Sequence, residues 1–140
     1  MTKTIAVIGA STMGYGIAHV FAQNGYPVNL IDLNRQQLEK ALSTIEKNLN
    51  RQAAKGVIEE TDVKKILGKI TSFDNLKEGV EKADLVIEAA TENEKIKLSI
   101  FKELDNYAQN HTILASNTSS ISITKIASVT SRPGKVIGMH

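Results

Sequence analysis

Residues 5–16 read IAVIGASTMGYG, and the fold turns on how this stretch is understood. Four apolar residues lead into Gly9, and Gly14 follows five residues later. This is the order strand, tight turn, helix in which a G-x-G-x-x-G loop cradles a pyrophosphate. The first glycine permits the turn and the last lets the helix pack closely on the sheet. The middle position, where glycine lets the backbone approach the phosphates, is Ser11. A serine fits there if its φ is negative, and its hydroxyl can then donate to a phosphate oxygen. A helix starting near Thr12 still supplies free N–H groups and a positive dipole end. Read alone, the loop Gly9, Ala10, Ser11, Thr12, Met13, Gly14 is equally a plain glycine-rich turn.

Outward from this stretch, short apolar runs alternate with longer amphipathic ones. Strands are expected at residues 4–9, 28–32, 70–73, 84–90, 112–116 and 135–140. Segments such as VNLID, DLVIEA and TILAS are nearly continuous and rich in Val and Ile, as strands buried on both faces are. Helices are expected at 13–24, 34–55, 61–68, 76–82, 94–108 and 123–128. The long second helix carries Leu38, Leu42, Ile45 and Leu49 on one face, with Ala41 and Ala53 at its margin. Residues 94–108 carry Ile96, Ile100, Leu104 and Tyr107 as an apolar stripe. The alternation implies an α/β doubly wound, mostly parallel sheet with helices on both faces and a long helical insertion after the second strand.

In such a sheet, ligands sit beyond the carboxyl ends of the strands. The first strand delivers the glycine loop there, the second Asp32, the fourth the ATEN segment with Glu92, the fifth residues 116–120 (SNTSS), and the sixth His140. Asp32 lies 23 residues after Gly9, where an acid binds a ribose 2′-hydroxyl and repels a 2′-phosphate. The cofactor expected is therefore NAD rather than NADP. Arg35 reads as a solvated charge in the first turn of the next helix. Lys97, five residues after Glu92, is placed to reach the same cofactor.

His140 ends a strand aimed at the nicotinamide. A neutral imidazole there can take a proton from a substrate alcohol as hydride leaves its carbon. Ser119 can hold the substrate oxygen or cap the following helix, or do both. No G-x-S-x-G elbow surrounds it, which argues against a nucleophilic role. His19 and His111 read as structural or surface residues. Lys47, Arg51 and Lys55 recur every four residues on the long helix, as either a solvated face or a grip on the phosphates of a second anionic ligand.

Composition narrows the field further. The 140 residues are 41% hydrophobic and 23% charged, with a net charge of +2. That mix suits one globular domain and not a nucleic-acid binder. There is no Cys, hence no disulfide, thiolate metal site or Cys nucleophile. No apolar run approaches the length of a membrane span, about 20 residues. The start, MTKTIAVIGAS, lacks the layout of a signal peptide. No metal, nucleic acid or membrane is expected as a partner, and the expected location is cytoplasmic.

The segments VIGASTMGYGIA, IEAATENEKIKLSIFKELD, ILASNTSSISIT and the terminal VIGMH together resemble the L-3-hydroxyacyl-CoA dehydrogenases, including the bacterial 3-hydroxybutyryl-CoA dehydrogenases. The resemblance spans the whole chain. It implies NAD-dependent interconversion of a 3-hydroxyacyl-CoA and its 3-keto form, with His140 as acid/base and Ser119 placing substrate and nicotinamide. It also implies Asp32 on the adenosine ribose, Ala89, Glu92 and Lys97 as further NAD contacts, and Lys55 and Asn48 against the CoA. Relatives usually carry Gly where this chain has Ser11.

In that family a glutamate orienting the catalytic His and a C-terminal helical domain, which completes the cleft and forms a homodimer interface, lie beyond residue 140. The expectation is that residues 1–140 form one NAD-binding domain that binds the cofactor and turns over acyl-CoA poorly by itself. Two other readings fit the same residues: a sugar-acid dehydrogenase of the related group, and a non-catalytic NAD-binding module.

Overall fold

The computed structural model describes residues 3–118 and 120–139. Its sheet is built from β1 (Ile5–Ile8), β2 (Val28–Ile31), β3 (Ile70–Phe73), β4 (Leu85–Glu88), β5 (Ile113–Ser116) and β6 (Val136–Gly138). All five pairings are parallel, in the order β3-β2-β1-β4-β5-β6. The chain winds from β1 outward to β3, then crosses back to β4 and winds the other way. The switch therefore falls between β1 and β4, where Val7 is in register with Ile87, and there the helices diverge to open a crevice. This is the doubly wound sheet expected from the alternation of apolar runs.

Side-chain alternation along β1 explains why helices cover both faces. Ile5 and Val7 point into one core with Leu30, Leu38, Ile45, Leu49 and Val63. Ala6 and Ile8 point into the other with Val86, Phe101, Leu104, Leu114 and Ile126. A period of two with apolar residues at every position leaves no solvent face.

The first core is closed by α1 (Thr12–Gln23), α2 (Arg35–Ala54) and α3 (Glu60–Leu67). The last two form the expected insertion. Asn34 caps α2 by accepting the Gln37 N–H. Gly56 then turns the chain at φ +75°, and Glu59 and Asp62 form a reciprocal capping box on α3. The second core is closed by α4 (Leu76–Val80), α5 (Glu94–Tyr107) and α6 (Ile123–Ala127).

Two helix faces differ from expectation. On α2 the buried line is Leu38, Ala41, Ile45 and Leu49, and Leu42 is only half-buried. On α5 the buried residues are Lys97, Phe101 and Leu104, while Ile96 is 52% exposed. The expected stripe is thus rotated by one residue at Ile96, Ile100 and Tyr107. A lysine occupies the core position because a buried carboxylate receives it, and periodicity of apolar residues does not register such a pair.

Candidate dinucleotide-binding site

Beyond the ends of β1, β2 and β4 lies a cleft of about 590 Å³, lined by Gly9, Ser11, Asp32, Asn34, Gln37, Leu76, Thr91, Ile96 and Ile100 among others. Its floor is the glycine loop. Gly9 has φ +100°, and a Cβ there would stand 2.8 Å from both the Ala89 carbonyl oxygen and Ala90 Cα. The backbone of the β4 loop therefore occupies the space that any side chain at residue 9 would need. A Cβ on Gly14 would fall 1.6 Å from the Gly9 carbonyl oxygen, so α1 starts directly against the loop. Gly16 meets nothing within 4 Å. Gly9 and Gly14 are the glycines this geometry requires.

Ser11 adopts φ −78°, which satisfies the condition for a side chain at the middle position. It is the N-cap of α1, yet its hydroxyl makes no capping bond, and no acid lies in the first turn. Among the described residues, the N–H groups of Thr12 and Met13 and the positive helix end thus meet no side-chain acceptor. An anionic group such as a phosphate would supply what they lack.

Asp32 joins two parts of the site. One carboxylate oxygen accepts the Ala10 N–H at 3.0 Å and the other the Asn34 N–H at 2.9 Å. Gln37 donates to the Ala10 carbonyl at 3.2 Å. Loop residue Ala10 is therefore held through both its N–H and its carbonyl by residues that follow β2. Gln37 was not foreseen in the sequence, where it looks like any polar residue in a first helical turn.

Across the cleft, Glu92 accepts hydrogen bonds from Ser120 Oγ at 2.7 Å and Thr118 Oγ1 at 3.0 Å, tying the loop after β4 to the loop after β5. The Ser120 bond first, then the Thr118 bond, and the nearby Lys97 charge, hold its carboxyl below the usual glutamate range. Lys97 is fully buried, paired with Glu88 and donating to Ser116 Oγ at 3.2 Å. Glu88 also accepts the Ala90 and Thr91 N–H groups at 2.8 and 3.3 Å, and Ser116 Oγ donates to it at 3.1 Å. Lys97 thus stands behind the β4 loop and beneath the cleft surface. Glu88 and Ser116 were missed in the sequence. A glutamate inside DLVIEA, a strand buried on both faces, is the signal that would have found them.

The expected CoA contacts on α2 do not line the cleft. Asn48 is half-buried on α2, and Lys47, Arg51 and Lys55 are exposed along the same helix, none of them lining the crevice. Ala89 donates its N–H to the Ile8 carbonyl at 2.8 Å, locking the β4 end to β1. His19 bonds Gln23 at 2.9 Å, and His111 pairs with Asp84 at 2.8 Å, so both serve the scaffold. Ser119 and His140 lie outside the described residues. Among the described residues, no helix is long and apolar enough to cross a membrane, and no group of three metal-ligating side chains occurs.

A parallel sheet with order 3-2-1-4-5-6, a glycine cradle, an uncapped helix start and an acid after the second strand define a dinucleotide-binding domain of the doubly wound class. The family can be named as well. A model of the 3-hydroxyacyl-CoA dehydrogenase NAD binding domain matches residues 4–140, and the chain belongs to that family. The cofactor is accordingly NAD. The chain is 49% identical over 138 residues to a probable 3-hydroxybutyryl-CoA dehydrogenase of Bacillus subtilis, covering 99% of this chain and 48% of that protein. It is 45% identical over 136 residues to the 3-hydroxybutyryl-CoA dehydrogenase of Clostridioides difficile, covering 97% of this chain and 48% of the relative. The crystal structure of an (S)-3-hydroxybutyryl-CoA dehydrogenase from Ralstonia eutropha superposes with a TM-score of 0.95 at 40% identity, over 100% of this chain and 49% of that one. The chain spans about half the length of the curated relatives it matches.

Proposed function

We propose that this domain serves the interconversion of (S)-3-hydroxyacyl-CoA, 3-hydroxybutyryl-CoA in particular, and the corresponding 3-ketoacyl-CoA. The observation that carries this reading is the meeting of the Gly9 cradle, the open start of α1 and Asp32 at one crevice. Relatives at 44–49% identity bear the name of that activity.

The roles divide along the strand ends. The free N–H groups at the start of α1 hold the pyrophosphate, and Asp32 accepts from the adenosine ribose. When bound, NAD supplies the hydride acceptor. His140 takes the proton of the substrate hydroxyl, so that loss of H⁻ from carbon and H⁺ from oxygen leaves the ketone. Ser119 donates to the substrate oxygen. Glu92, clamped by Thr118 and Ser120, fixes the loops after β4 and β5 around the nicotinamide end, and the buried Lys97 steadies the first of them. Lys55 and Asn48, with the neighbouring cations of α2, bind the CoA. The enzyme that carries this domain acts as a homodimer.

The test is NADH-dependent reduction of acetoacetyl-CoA by the polypeptide that carries this domain, with His140→Asn beside it. General acid–base catalysis contributes about 10²- to 10⁴-fold, and the variant loses rate on that scale while its NADH affinity is kept. Acetoacetyl-CoA reduction that survives His140→Asn undiminished would sink the assignment. CoA that fails to protect Lys47 and Lys55 from amine labelling would favour a sugar-acid substrate.

A further inference from the structure

Arg35 follows Asp32 by three residues at the start of α2, directly after Asn34, which lines the cleft beside Asp32. A free guanidinium beside a ribose held by Asp32 would recruit a 2′-phosphate and oppose the selectivity of Asp32. It is not free. Its Nη2 donates to Asp74 Oδ2 at 2.8 Å.

Asp74 is well placed to hold it. The Asp32 N–H donates to the Phe73 carbonyl at 3.1 Å, so Asp74 is the next residue beyond the strand that flanks Asp32. Leu76, two residues later, already lines the cleft. The side-chain bond from Arg35, and then its charge, hold the Asp74 carboxyl below the usual range, so it stays ionised at neutral pH. Both side chains are at least half exposed, so a pair of this kind adds little to folding. Its position suits selection among ligands better than stability.

We propose that Asp74 is a cofactor-specificity residue: by pairing Arg35 it withholds the cation at the ribose edge from a 2′-phosphate, reinforcing the preference for NAD set by Asp32. The inference rests on the cofactor site as assigned above and adds a second element to it. The effect is electrostatic and partly screened, so it shrinks as ionic strength rises past the point where the Debye length is ~10 Å.

The experiment is a calorimetric titration of wild type, D74N, R35A and D74N/R35A with NADH and NADPH, at low and at high salt. The readout is the ratio of the NADPH to the NADH Kd. In D74N this ratio falls about fivefold at low salt, the scale of an exposed ion pair, and less at high salt. Adding R35A to D74N restores the wild-type ratio, because the released guanidinium is what attracts the phosphate. A ratio unchanged in D74N overturns the proposal. So does a fall that persists in D74N/R35A, since Asp74 would then act through its own charge alone. Failure of folded wild type to bind NADH is a different result, and it overturns the cofactor site together with this inference.

Discussion

The carboxylate of Asp32 accepts the backbone N–H of Ala10 at 3.0 Å, so the acid that follows β2 fastens the glycine loop that follows β1. The two residues come from different strand ends, 22 positions apart in the chain. One side chain thereby couples the proposed adenosine subsite to the proposed pyrophosphate subsite.

Asp32→Ala should therefore fail in two measurable ways. Loss of the ribose acceptor raises the NADH Kd by about 10- to 100-fold, the worth of a charge-assisted hydrogen bond. Asp32→Ala also removes the acceptor for Ala10 and Asn34, which lowers stability to urea by about 1–2 kcal/mol. An unchanged Kd by calorimetry would show that the ribose is recognised elsewhere.

Ser11 lines the cleft with an exposed side chain and a φ of −78°, so glycine at this position relieves no backbone strain. Its hydroxyl caps nothing, and Ser11→Gly should cost only a few tenths of a kcal/mol in stability. What glycine offers is room for the phosphates. The NADH Kd should fall by less than about tenfold, the scale of a modest packing penalty. A variant that binds more weakly would mean that the hydroxyl donates to the phosphate.

The two helical glycines of the opening stretch should respond in opposite directions. A methyl on Gly14 meets the Gly9 carbonyl oxygen, a backbone atom that cannot turn aside. Gly14→Ala should therefore cost about 3 kcal/mol or more. A methyl on Gly16 meets nothing, and Gly16→Ala gains about 0.5–1 kcal/mol through its better helix propensity. Urea midpoints of the two variants decide the matter. If the midpoint of Gly14→Ala does not fall, the close approach of α1 to the loop is wrong.

What the sequence made legible follows from what periodicity and turn chemistry can encode. Continuous apolar runs announced a parallel sheet, and Gly9, Gly14 and Asp32 announced the crevice, because each obeys a local rule. The phase of α5 was not legible. Lys97 looks polar and therefore exposed, and only its distant partners Glu88 and Ser116 make burial tolerable. Once Lys97 turns inward, Ile96 and Ile100 must face the cleft, where they offer an apolar wall. The clamp of Glu92 by Thr118 and Ser120 was hidden for the same reason, since it joins residues 26 and 28 positions apart.

Arg132 and Asp105 carry the pH dependence of the far end of α5. Arg132 donates to Asp105 Oδ1 at 2.9 Å and to the carbonyls of Asp105 and Ala108 at 3.1 and 3.3 Å. It thereby closes the helix C-terminus from outside the helix. Burial pushes the Asp105 carboxyl up, but the Ser131 N–H, the Arg132 guanidinium and the Ser131 hydroxyl together prevail and hold it below 3.8. A carboxyl depressed in the folded state contributes stability that is fully present above its unfolded value. That stability is lost as pH falls through the folded one. Asp105→Asn should then be about 2 kcal/mol less stable at neutral pH. Its stability should also decline less steeply than wild type below pH 3.8, so that the two curves converge in acid. Parallel curves in urea titrations run from neutral pH into strong acid would show that Asp105 titrates alike in both states, and the Arg132 hub would then have no role in acid unfolding.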